Sequence, residues 1–235
     1  MPDRTAPVPR AALVTGATRG IGRLTAERLV GLGYDVVASG RDPDAVAAVA
    51  DELGCRGLEL DVADPASIAR AARRLADEGV VVDALVNNAG VCLEDGPLSI
   101  AEGDLGTQMA TNTFGPWLLM RAFVPGMVER GFGRVVNVSS GSGSFAEGLD
   151  LGAYSVSKAA LNALTVAVAR EVRALGLGAD VLVNAVCPGW AQTDMGGPSA
   201  PVPVEQAVDG VVWAVQLPSG GPSGRFFRDG TEIPW

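Results

Sequence analysis

Short apolar runs alternate with longer stretches of helical periodicity along this chain of 235 residues. The apolar runs occupy residues 11–15, 35–39, 58–60, 84–86, 134–138 and 181–186. Each run is almost continuously apolar, as expected for a parallel strand that is covered on both faces. Strands that alternate with helices in this way predict an α/β fold built on a doubly wound, mostly parallel sheet.

Helical periodicity is found over residues 21–32, 42–53, 105–130 and 153–175. The second of these helices begins with Asp42, a favourable N-cap, and then Pro43, whose missing N–H costs nothing at the first helical position. Asp64 and Pro65 repeat the signature and predict another helix start. A sheet of this kind binds its ligand beyond the carboxyl ends of its strands, so we expect the functional residues in the loops there.

Length and composition indicate the domain organisation. A chain of this size with 48% hydrophobic residues can bury one large core, so we expect a single domain over residues 10–235 after a Pro-rich lead, residues 1–9. No apolar run reaches the roughly 18 to 20 residues of a membrane span, and the N-terminus lacks the apolar core of a signal peptide. We therefore expect a cytoplasmic protein that does not enter a membrane.

Charge and residue usage exclude several kinds of site. The net charge of −9 disfavours nucleic acids and anionic membrane surfaces, which leaves a small molecule as the expected partner. The cysteines, Cys55, Cys92 and Cys187, have no metal-type spacing, and histidine is absent, so we expect no metal site. Any acid–base chemistry must use Tyr, Lys, Asp, Glu or Cys.

A glycine-rich loop connects the first strand to the first helix. It reads Thr15-Gly16-Ala17-Thr18-Arg19-Gly20-Ile21-Gly22. Glycines at such a junction let the backbone approach a pyrophosphate, which then sits at the helix N-terminus. The spacing Gly-x3-Gly-x-Gly differs from the fingerprint G-x-G-x-x-G, and an ordinary tight turn is the alternative interpretation.

The end of the second strand indicates which dinucleotide would bind. An NAD site usually places a carboxylate there for the ribose 2′-hydroxyl. In this chain Arg41 occupies the neighbourhood of a 2′-phosphate and Arg19 approaches it from the glycine loop, and two guanidinium groups favour NADP. Asp42 leaves an alternative open, because it could hold the ribose instead of capping the next helix.

Tyr154 and Lys158 form the most informative pair in the sequence. Lys158 is the only lysine, Tyr154 is one of 2 tyrosines, and their spacing of four residues places both on one face of a helix. A nearby ammonium stabilises a phenolate and lowers its pKa from about 10, so Tyr154 could exchange a proton with a substrate. The alternative is a lone surface lysine in an arginine-rich chain.

Further motifs follow the remaining strands. They are Asp61-Val62, Asn87-Asn88-Ala89-Gly90, Ser139-Ser140 and the segment from Pro188 to Thr193. The glycine loop, Asn-Asn-Ala-Gly, Ser-Ser, Tyr-x3-Lys and Pro-Gly occur in the order typical of the short-chain dehydrogenase/reductase family, and this resemblance covers essentially the whole chain. The segments 186–195 and 224–227 resemble the carbonyl reductase branch. The resemblance implies a Rossmann-type fold.

The family resemblance also implies a catalytic tetrad, Asn112, Ser140, Tyr154 and Lys158. Hydride would pass from the nicotinamide to a carbonyl carbon, while Tyr154 protonates the developing alkoxide and Ser140 hydrogen-bonds the same oxygen. Lys158 would lower the Tyr154 pKa and hold the nicotinamide ribose, and Asn112 would support a water that restores the proton. An alternative for Asn112 is a polar residue that faces a neighbouring helix.

The same resemblance assigns a cofactor site, in which Thr193 would hydrogen-bond the carboxamide. The residues that would bind NADPH are Gly16, Thr18, Arg19, Gly20, Ile21, Gly22, Arg41, Asp61, Val62, Asn88, Ala89, Gly90, Tyr154, Lys158, Pro188, Gly189 and Thr193. The expected substrate pocket is mostly apolar and lacks a basic residue to hold an anion. Its candidate residues are Cys92, Leu93, Ser142, Leu149, Trp190 and Met195.

These observations predict NADPH-dependent reduction of a neutral ketone or aldehyde. An NAD-dependent secondary alcohol dehydrogenase is the alternative, and a protein that senses the dinucleotide without turnover is a third possibility. The chain lacks the long insertion before the tyrosine that keeps some carbonyl reductases monomeric. The apolar faces of helices 105–130 and 153–175 are then free to pair, and we expect a homodimer or homotetramer.

Overall fold

The structure is a computed structural model that describes residues 9–93, 96–176 and 178–235. The predicted lead, residues 1–9, lies outside the described residues except for Pro9. The strands are β1 (Ala11–Val14), β2 (Asp35–Gly40), β3 (Arg56–Glu59), β4 (Val82–Asn87), β5 (Phe132–Val138), β6 (Asp180–Val186), β7 (Phe226–Arg228) and β8 (Thr231–Glu232). The helices are α1 (Gly20–Gly31), α2 (Pro43–Leu53), α3 (Pro65–Asp77), α4 (Glu102–Met109), α5 (Gly115–Arg130), α6 (Gly152–Ala174) and α7 (Val204–Val215).

All eight strands of the described chain form one sheet in the order β3-β2-β1-β4-β5-β6-β7-β8. Every neighbouring pair is parallel except β7 with β8. Strand order reverses direction between β1 and β4, and a crevice at such a switch point is where open α/β sheets bind ligands. The predicted α/β, doubly wound, mostly parallel sheet is therefore confirmed.

Helices cover both faces of the sheet. Side chains of α1, α2 and α7 pack on one face around Leu29, Val49 and Val208. Side chains of α3, α5 and α6 pack on the other face and include Ile68 and Leu161. Apolar coverage on both sides explains why the strands read as nearly continuous hydrophobic runs.

The helix starts follow the predicted capping chemistry. Asp42 caps α2 by accepting hydrogen bonds from the backbone N–H of Asp44 at 3.0 Å and of Ala45 at 3.3 Å. Asp64 caps α3 through the N–H of Ala66 at 2.8 Å. The N-cap interpretation of Asp42 is therefore confirmed, and one oxygen of its carboxylate is occupied by the helix.

The long helix predicted over residues 105–130 differs from the observed one. It begins earlier, at Glu102, and a π-helical segment, Ala110–Phe114, separates α4 from α5. A π-turn holds an extra residue and rotates the side chains that follow it, which a simple helical period does not reveal. Immediately after it, Gly115 packs so closely on the Val62 carbonyl that a side chain would collide with it.

A buried arginine connects β5 and β6 at the amino ends of the strands, away from the crevice. Arg134 donates hydrogen bonds to the carboxylate of Asp180 at 2.8 Å and to the Leu217 carbonyl at 2.9 Å. Its guanidinium also lies over the Phe132 ring, 4.4 Å from the centroid. The side chain of Arg134 is 3% exposed and that of Asp180 is 21% exposed, so the arginine end of this ion pair is buried.

Candidate active site

The glycine loop follows β1 and has the backbone shape that a phosphate cradle requires. Gly16 and Gly20 have φ angles of 63° and 53°, in the left-handed region that favours glycine. A side chain on Gly22 would collide with the Gly16 carbonyl. The loop therefore folds back tightly on α1, in a shape that side chains at these glycine positions would prevent, and it leads into the N-terminus of a helix, where phosphates commonly bind.

Asn88, after β4, holds this loop in place. Its side-chain amide donates hydrogen bonds to the carbonyls of Thr15 at 2.8 Å and Gly16 at 3.2 Å. The Thr15 hydroxyl accepts in return from the N–H groups of Asn88 and Ala89, both at 3.0 Å. The side-chain amide of Asn88 is thus used inside the protein, where it positions the glycine loop.

The two arginines predicted to bind a 2′-phosphate have different surroundings. Arg41 is exposed and forms no hydrogen bond or ion pair with another residue in the described parts of the chain. Arg19 forms an ion pair with Asp194 at 3.3 Å, in which both side chains are about three-quarters exposed at 76% and 75%. An ion pair so exposed to water contributes little, so a phosphate could replace Asp194. Thr18 packs against Gly40, which joins the loop to the end of β2.

The loop after β6 lies against the glycine loop. A Cβ atom on Gly20 would lie 3.3 Å from the methyl group of Thr193. The Thr193 hydroxyl accepts a hydrogen bond from the N–H of Gly196 at 3.2 Å, and Trp190 Nε1 donates to the Gly196 carbonyl at 2.8 Å. Gly189 has a φ of 77°, so the Pro188-Gly189 turn also depends on glycine.

The residues after β3 form a turn at the carboxyl ends of the strands, beyond β2. The Asp61 carboxylate accepts a hydrogen bond from the N–H of Ala63 at 2.9 Å, and the Asp61 N–H donates to Ser67 at 3.1 Å. Val62 is buried, and its carbonyl faces Gly115. These contacts fix Asp61 and Val62 in position, and no cofactor contact follows from them alone.

Tyr154 and Lys158 lie in the first two turns of α6, as their spacing predicts. The Lys158 ammonium is 5.7 Å from the centroid of the Tyr154 ring, and the Ser140 side chain lies beside the Tyr154 hydroxyl. Lys158 is 4% exposed and donates a hydrogen bond of 2.8 Å to the Val138 carbonyl. The alternative of a lone surface lysine is therefore wrong.

Asn112 lies in the π-helical segment and points into the protein. Its amide donates to the Val91 carbonyl at 2.8 Å and to the Ser157 hydroxyl at 3.0 Å, and its oxygen accepts from the Val91 N–H at 2.9 Å. A Cβ atom on Gly90 would lie 3.3 Å from the Asn112 oxygen and 3.5 Å from the Lys158 ammonium. Asn112 thus both contacts α6 through Ser157 and borders the same space as Lys158.

Burial controls the protonation of the pair. Burial raises the pKa of Tyr154, and the hydrogen bond with Ser140 opposes this only in part. Burial likewise lowers the pKa of Lys158 to about 8. The prediction of a lowered Tyr154 pKa is therefore wrong for this structure, because desolvation of the phenolate is the largest influence and outweighs the effect of Ser140. A protonated phenol at neutral pH is the form that can donate a proton.

The predicted pocket residues come from the loops after β4, β5 and β6, three strands that are neighbours in the sheet. Leu149, Trp190 and Met195 have 41%, 58% and 51% of their surface exposed, which is high for large apolar side chains. The backbone of Leu93 is paired with the Gln108 side chain, and the N–H of Ser142 donates to Ser140 at 3.2 Å. Cys92 affects the pKa values of both Tyr154 and Lys158, so it lies near the pair.

Two further residues around the site, Ser157 and Asn162, belong to no motif that indicates them in the sequence. Ser157 donates a hydrogen bond to the Tyr154 carbonyl at 2.7 Å while it receives the one from Asn112. Asn162 accepts from Ser139 at 2.6 Å and donates to the Gly143 carbonyl at 3.0 Å. Both lie on α6, at three and eight residues beyond Tyr154, so their positions on that helix could have indicated them.

The described residues were considered for two other features, a metal site and a membrane-spanning helix, and contain neither. Within residues 9–93, 96–176 and 178–235, no group of three or more Cys, Asp or Glu side chains is arranged to hold a metal ion. In the same part of the chain, no helix has both the length and the apolar character needed to cross a membrane.

Comparison with known proteins gives a consistent result. Residues 10–201 match the family described as short chain dehydrogenase. The 3-oxoacyl-(acyl-carrier-protein) reductase of Escherichia coli K12 is 35% identical over 186 residues, which are 78% of this chain and 74% of that protein. The oxidoreductase UcpA of the same organism is 35% identical over 191 residues, or 79% of this chain and 71% of UcpA.

A solved structure resembles the chain over almost its full length. It is a carbonyl reductase from chicken fatty liver with NADPH bound, which has 32% sequence identity and a TM-score of 0.85. The match covers 97% of this chain and 99% of the reductase.

Proposed function

This chain belongs to the short-chain dehydrogenase/reductase family, and we propose that it uses NADPH to reduce a neutral ketone or aldehyde to an alcohol. The observation that carries the proposal is the buried Tyr154 hydroxyl, which lies beside Ser140 and one helical turn from Lys158. A protonated phenol beside a second hydroxyl is suited to a carbonyl oxygen that gains negative charge. The presence of Ser140, Tyr154 and Lys158 together argues against a sensor without turnover.

The residues present fit a nicotinamide dinucleotide. Gly16 and Gly22 let the loop pack so closely on Asn88 and Ala89 that a side chain at either position would collide with the protein, and Asn88 hydrogen-bonds the loop in this shape. When bound, the nicotinamide would supply the hydride. Gly20, Ile21, Ala89, Gly90 and the other residues named above for the cofactor are part of this proposal.

In the proposed mechanism, Tyr154 donates its proton to the carbonyl oxygen of the substrate. Ser140 hydrogen-bonds the same oxygen and holds it near Tyr154. Lys158 would hold the nicotinamide ribose and, with Asn112, would border the path by which Tyr154 regains its proton. Thr193 would hydrogen-bond the carboxamide. The site must be dry for these groups to act strongly, and the burial of Tyr154 and Lys158 supports this.

Three observations support NADP over NAD. Arg41 is exposed and has no partner in the described chain, Arg19 has only an exposed ion pair, and Asp42 caps α2. An NAD site would use a carboxylate at this position for the ribose, and one oxygen of the Asp42 carboxylate is already hydrogen-bonded to the N-terminus of α2. The similar carbonyl reductase was solved with NADPH. An NAD-dependent alcohol dehydrogenase is the alternative that a comparison of the two cofactors tests.

The loops around the site favour a neutral, partly apolar substrate. Trp190, Met195 and Leu149 are apolar and exposed, and the nearby Arg19 is paired with an acid. A carboxylate or phosphate on the substrate would meet no unpaired basic side chain from these loops. The 35% identity to a 3-oxoacyl reductase makes a 3-oxoacyl thioester a second candidate substrate.

Exposed aromatic residues on α5, and at Phe114 immediately before it, support association with a second copy of this chain. Phe114 and Trp117 are 50% and 51% exposed, and Val156 on α6 is 53% exposed. Large apolar side chains grouped at helix surfaces are typical of interfaces. We propose a homodimer or homotetramer, which light scattering at several protein concentrations tests directly. A monomer at all concentrations would contradict this. The cytoplasmic location stays a prediction from the sequence.

The decisive experiment is a panel of ketones, aldehydes and one 3-oxoacyl thioester, each assayed with NADPH and with NADH. We expect reduction of apolar ketones or aldehydes with NADPH. A preference for NADH, or oxidation of secondary alcohols as the only reaction, would favour the alcohol dehydrogenase instead. Tight NADPH binding without turnover of any compound would favour the sensor.

A further inference from the structure

Arg228, the last residue of β7, contacts the loop that carries Ser140. Its guanidinium forms a forked ion pair with Glu147, with distances of 2.9 and 2.5 Å to the two carboxylate oxygens. The same group donates a hydrogen bond to the sulfur of Cys187 at 3.3 Å. Two parallel hydrogen bonds to one carboxylate fix both position and orientation.

The contact reaches the residue next to Ser140. The N–H of Gly141 donates to the Cys187 sulfur at 3.1 Å, so Arg228 and Gly141 share one acceptor. A Cβ atom on Gly141 would collide with the Glu147 carboxylate and would lie 2.7 Å from the Arg228 guanidinium. The ion pair therefore rests directly on the backbone of Gly141.

The loop needs such support because of its composition. Ser140 is followed by Gly141 and Gly143, and glycines give a backbone more conformational freedom than other residues do. On one side the loop is held by α6, where Asn162 donates to the Gly143 carbonyl. The other side is held by the C-terminal segment, through Arg228 and through a hydrogen bond of 3.0 Å from Ser144 to the Pro234 carbonyl.

The supporting segment is itself anchored in the core. Phe226 in β7 is fully buried, and its ring stacks on Trp235 with 5.4 Å between centroids. Backbone pairing of β7 with β6 fixes its register. The residues matched by the family end at position 201, so this segment lies beyond the matched part of the chain.

We propose that Arg228 is a positioning residue that acts through Glu147 and Cys187 to hold Ser140 in its place beside Tyr154. Its effect on rate rests on the proposed function, whereas its effect on the loop does not. Removing the ion pair would loosen residues 140–147 and leave the glycine loop and the fold of the sheet unchanged. The rate of the chemical step should then fall, because Ser140 acts on the substrate oxygen.

The test compares two arginines of the same C-terminal segment. Arg228→Met and Glu147→Gln remove the fork, and Arg225→Met is the control, since Arg225 pairs with Glu232 at 3.0 Å on the exposed side of the hairpin. Hydrogen exchange of residues 139–151 should be about tenfold faster in Arg228→Met and Glu147→Gln and unchanged in Arg225→Met. Equal exchange in all three variants, or equal acceleration, overturns the proposal whatever reaction the protein catalyses.

The kinetic arm uses the best carbonyl substrate of the panel. We expect kcat to fall about tenfold in Arg228→Met and Glu147→Gln, with the Kd of NADPH changed by less than about twofold. The double variant should lose no more than either single variant, since both act through one ion pair. Arg228→Lys, which keeps the charge but not the fork, should recover part of kcat. A normal kcat in the two single variants, or losses that simply add in the double variant, would contradict a positioning role.

Discussion

The Lys158 ammonium donates its hydrogen bond to the carbonyl of Val138, at the carboxyl end of β5 and two residues before Ser140. One lysine thereby connects α6 with the strand that delivers the serine. Gly143 packs on the Cβ and backbone of the same lysine, which fixes the base of its side chain. Because Lys158 is anchored to Val138, the spacing of four residues on α6 places its ammonium near both Tyr154 and the strand that leads to Ser140.

Lys158→Arg should therefore lower kcat strongly, by roughly a hundredfold, although the positive charge is kept. The pH dependence should also change. The pKa of Lys158 is about 8, so the wild-type rate should fall above pH 8 as the ammonium loses its proton. Arginine stays charged, and this fall should be absent from the variant. A pH profile of kcat checks both statements, and a near-normal rate would mean that charge alone suffices.

Tyr154→Phe should abolish turnover and leave cofactor binding nearly unchanged, because it removes one hydroxyl and no charge. Fluorescence titration with NADPH measures the binding, and steady-state assays measure the rate. Tyr34→Phe is a matched control, since it changes the only other tyrosine, which packs beside α1 away from Ser140. Substantial activity in Tyr154→Phe would refute its role as proton donor.

Arg41→Asp tests the choice between NADP and NAD. A charge-assisted hydrogen bond to a 2′-phosphate contributes roughly 1.5 to 3 kcal/mol, or about one to two decades in affinity. We expect the ratio of kcat/KM for NADPH over NADH to fall by at least tenfold in this variant and by less in Arg19→Met, which removes one phosphate contact, held in an exposed ion pair, without adding a repelling carboxylate. If the ratio does not change, Arg41 takes no part in cofactor selection.

Asp180→Asn tests the buried ion pair with Arg134. Burial pushes the pKa of Asp180 upward, but hydrogen bonds from Arg134, Ser219 and Gly220 outweigh it and hold the pKa below its usual value. A lowered folded-state pKa stabilises the protein above the unfolded pKa of about 3.9, and this stabilisation is lost as the pH falls through the lower folded value.

At neutral pH, Asp180→Asn should lower the free energy of unfolding by about 2 to 3 kcal/mol, since Arg134 would stay buried without its counter-charge. Asp35→Asn, at the exposed ion pair with Arg56, should cost less than about 1 kcal/mol. Denaturant unfolding at pH 7 and at pH 3 measures the difference, which should shrink at pH 3. A difference that is the same at both pH values would contradict the linkage.

Local chemistry made much of this fold predictable. The caps at Asp42 and Asp64 and the apolar strand runs depend on nearby residues only, so the sequence indicates them directly. The pairing of Arg228 with Glu147 joins residues 81 positions apart in the chain, and no local pattern reports such a contact. The raised pKa of Tyr154 was missed for a related reason: desolvation depends on what covers the phenol in three dimensions.

The π-helical segment Ala110–Phe114 has a consequence for how the chain can change in length. Each residue of an α-helix advances its side chains by about 100°, so adding one more residue to this stretch, which already holds an extra one, would turn the whole of α5 about its axis. Leu119 and Met127, which are buried against the sheet, would rotate towards solvent, and Trp117 would turn as well. A surface loop absorbs an insertion or deletion without such a cost. The packing of α5 should therefore be far more sensitive to an added residue in this stretch than to replacement of one that, unlike Asn112, makes no hydrogen bond within the site.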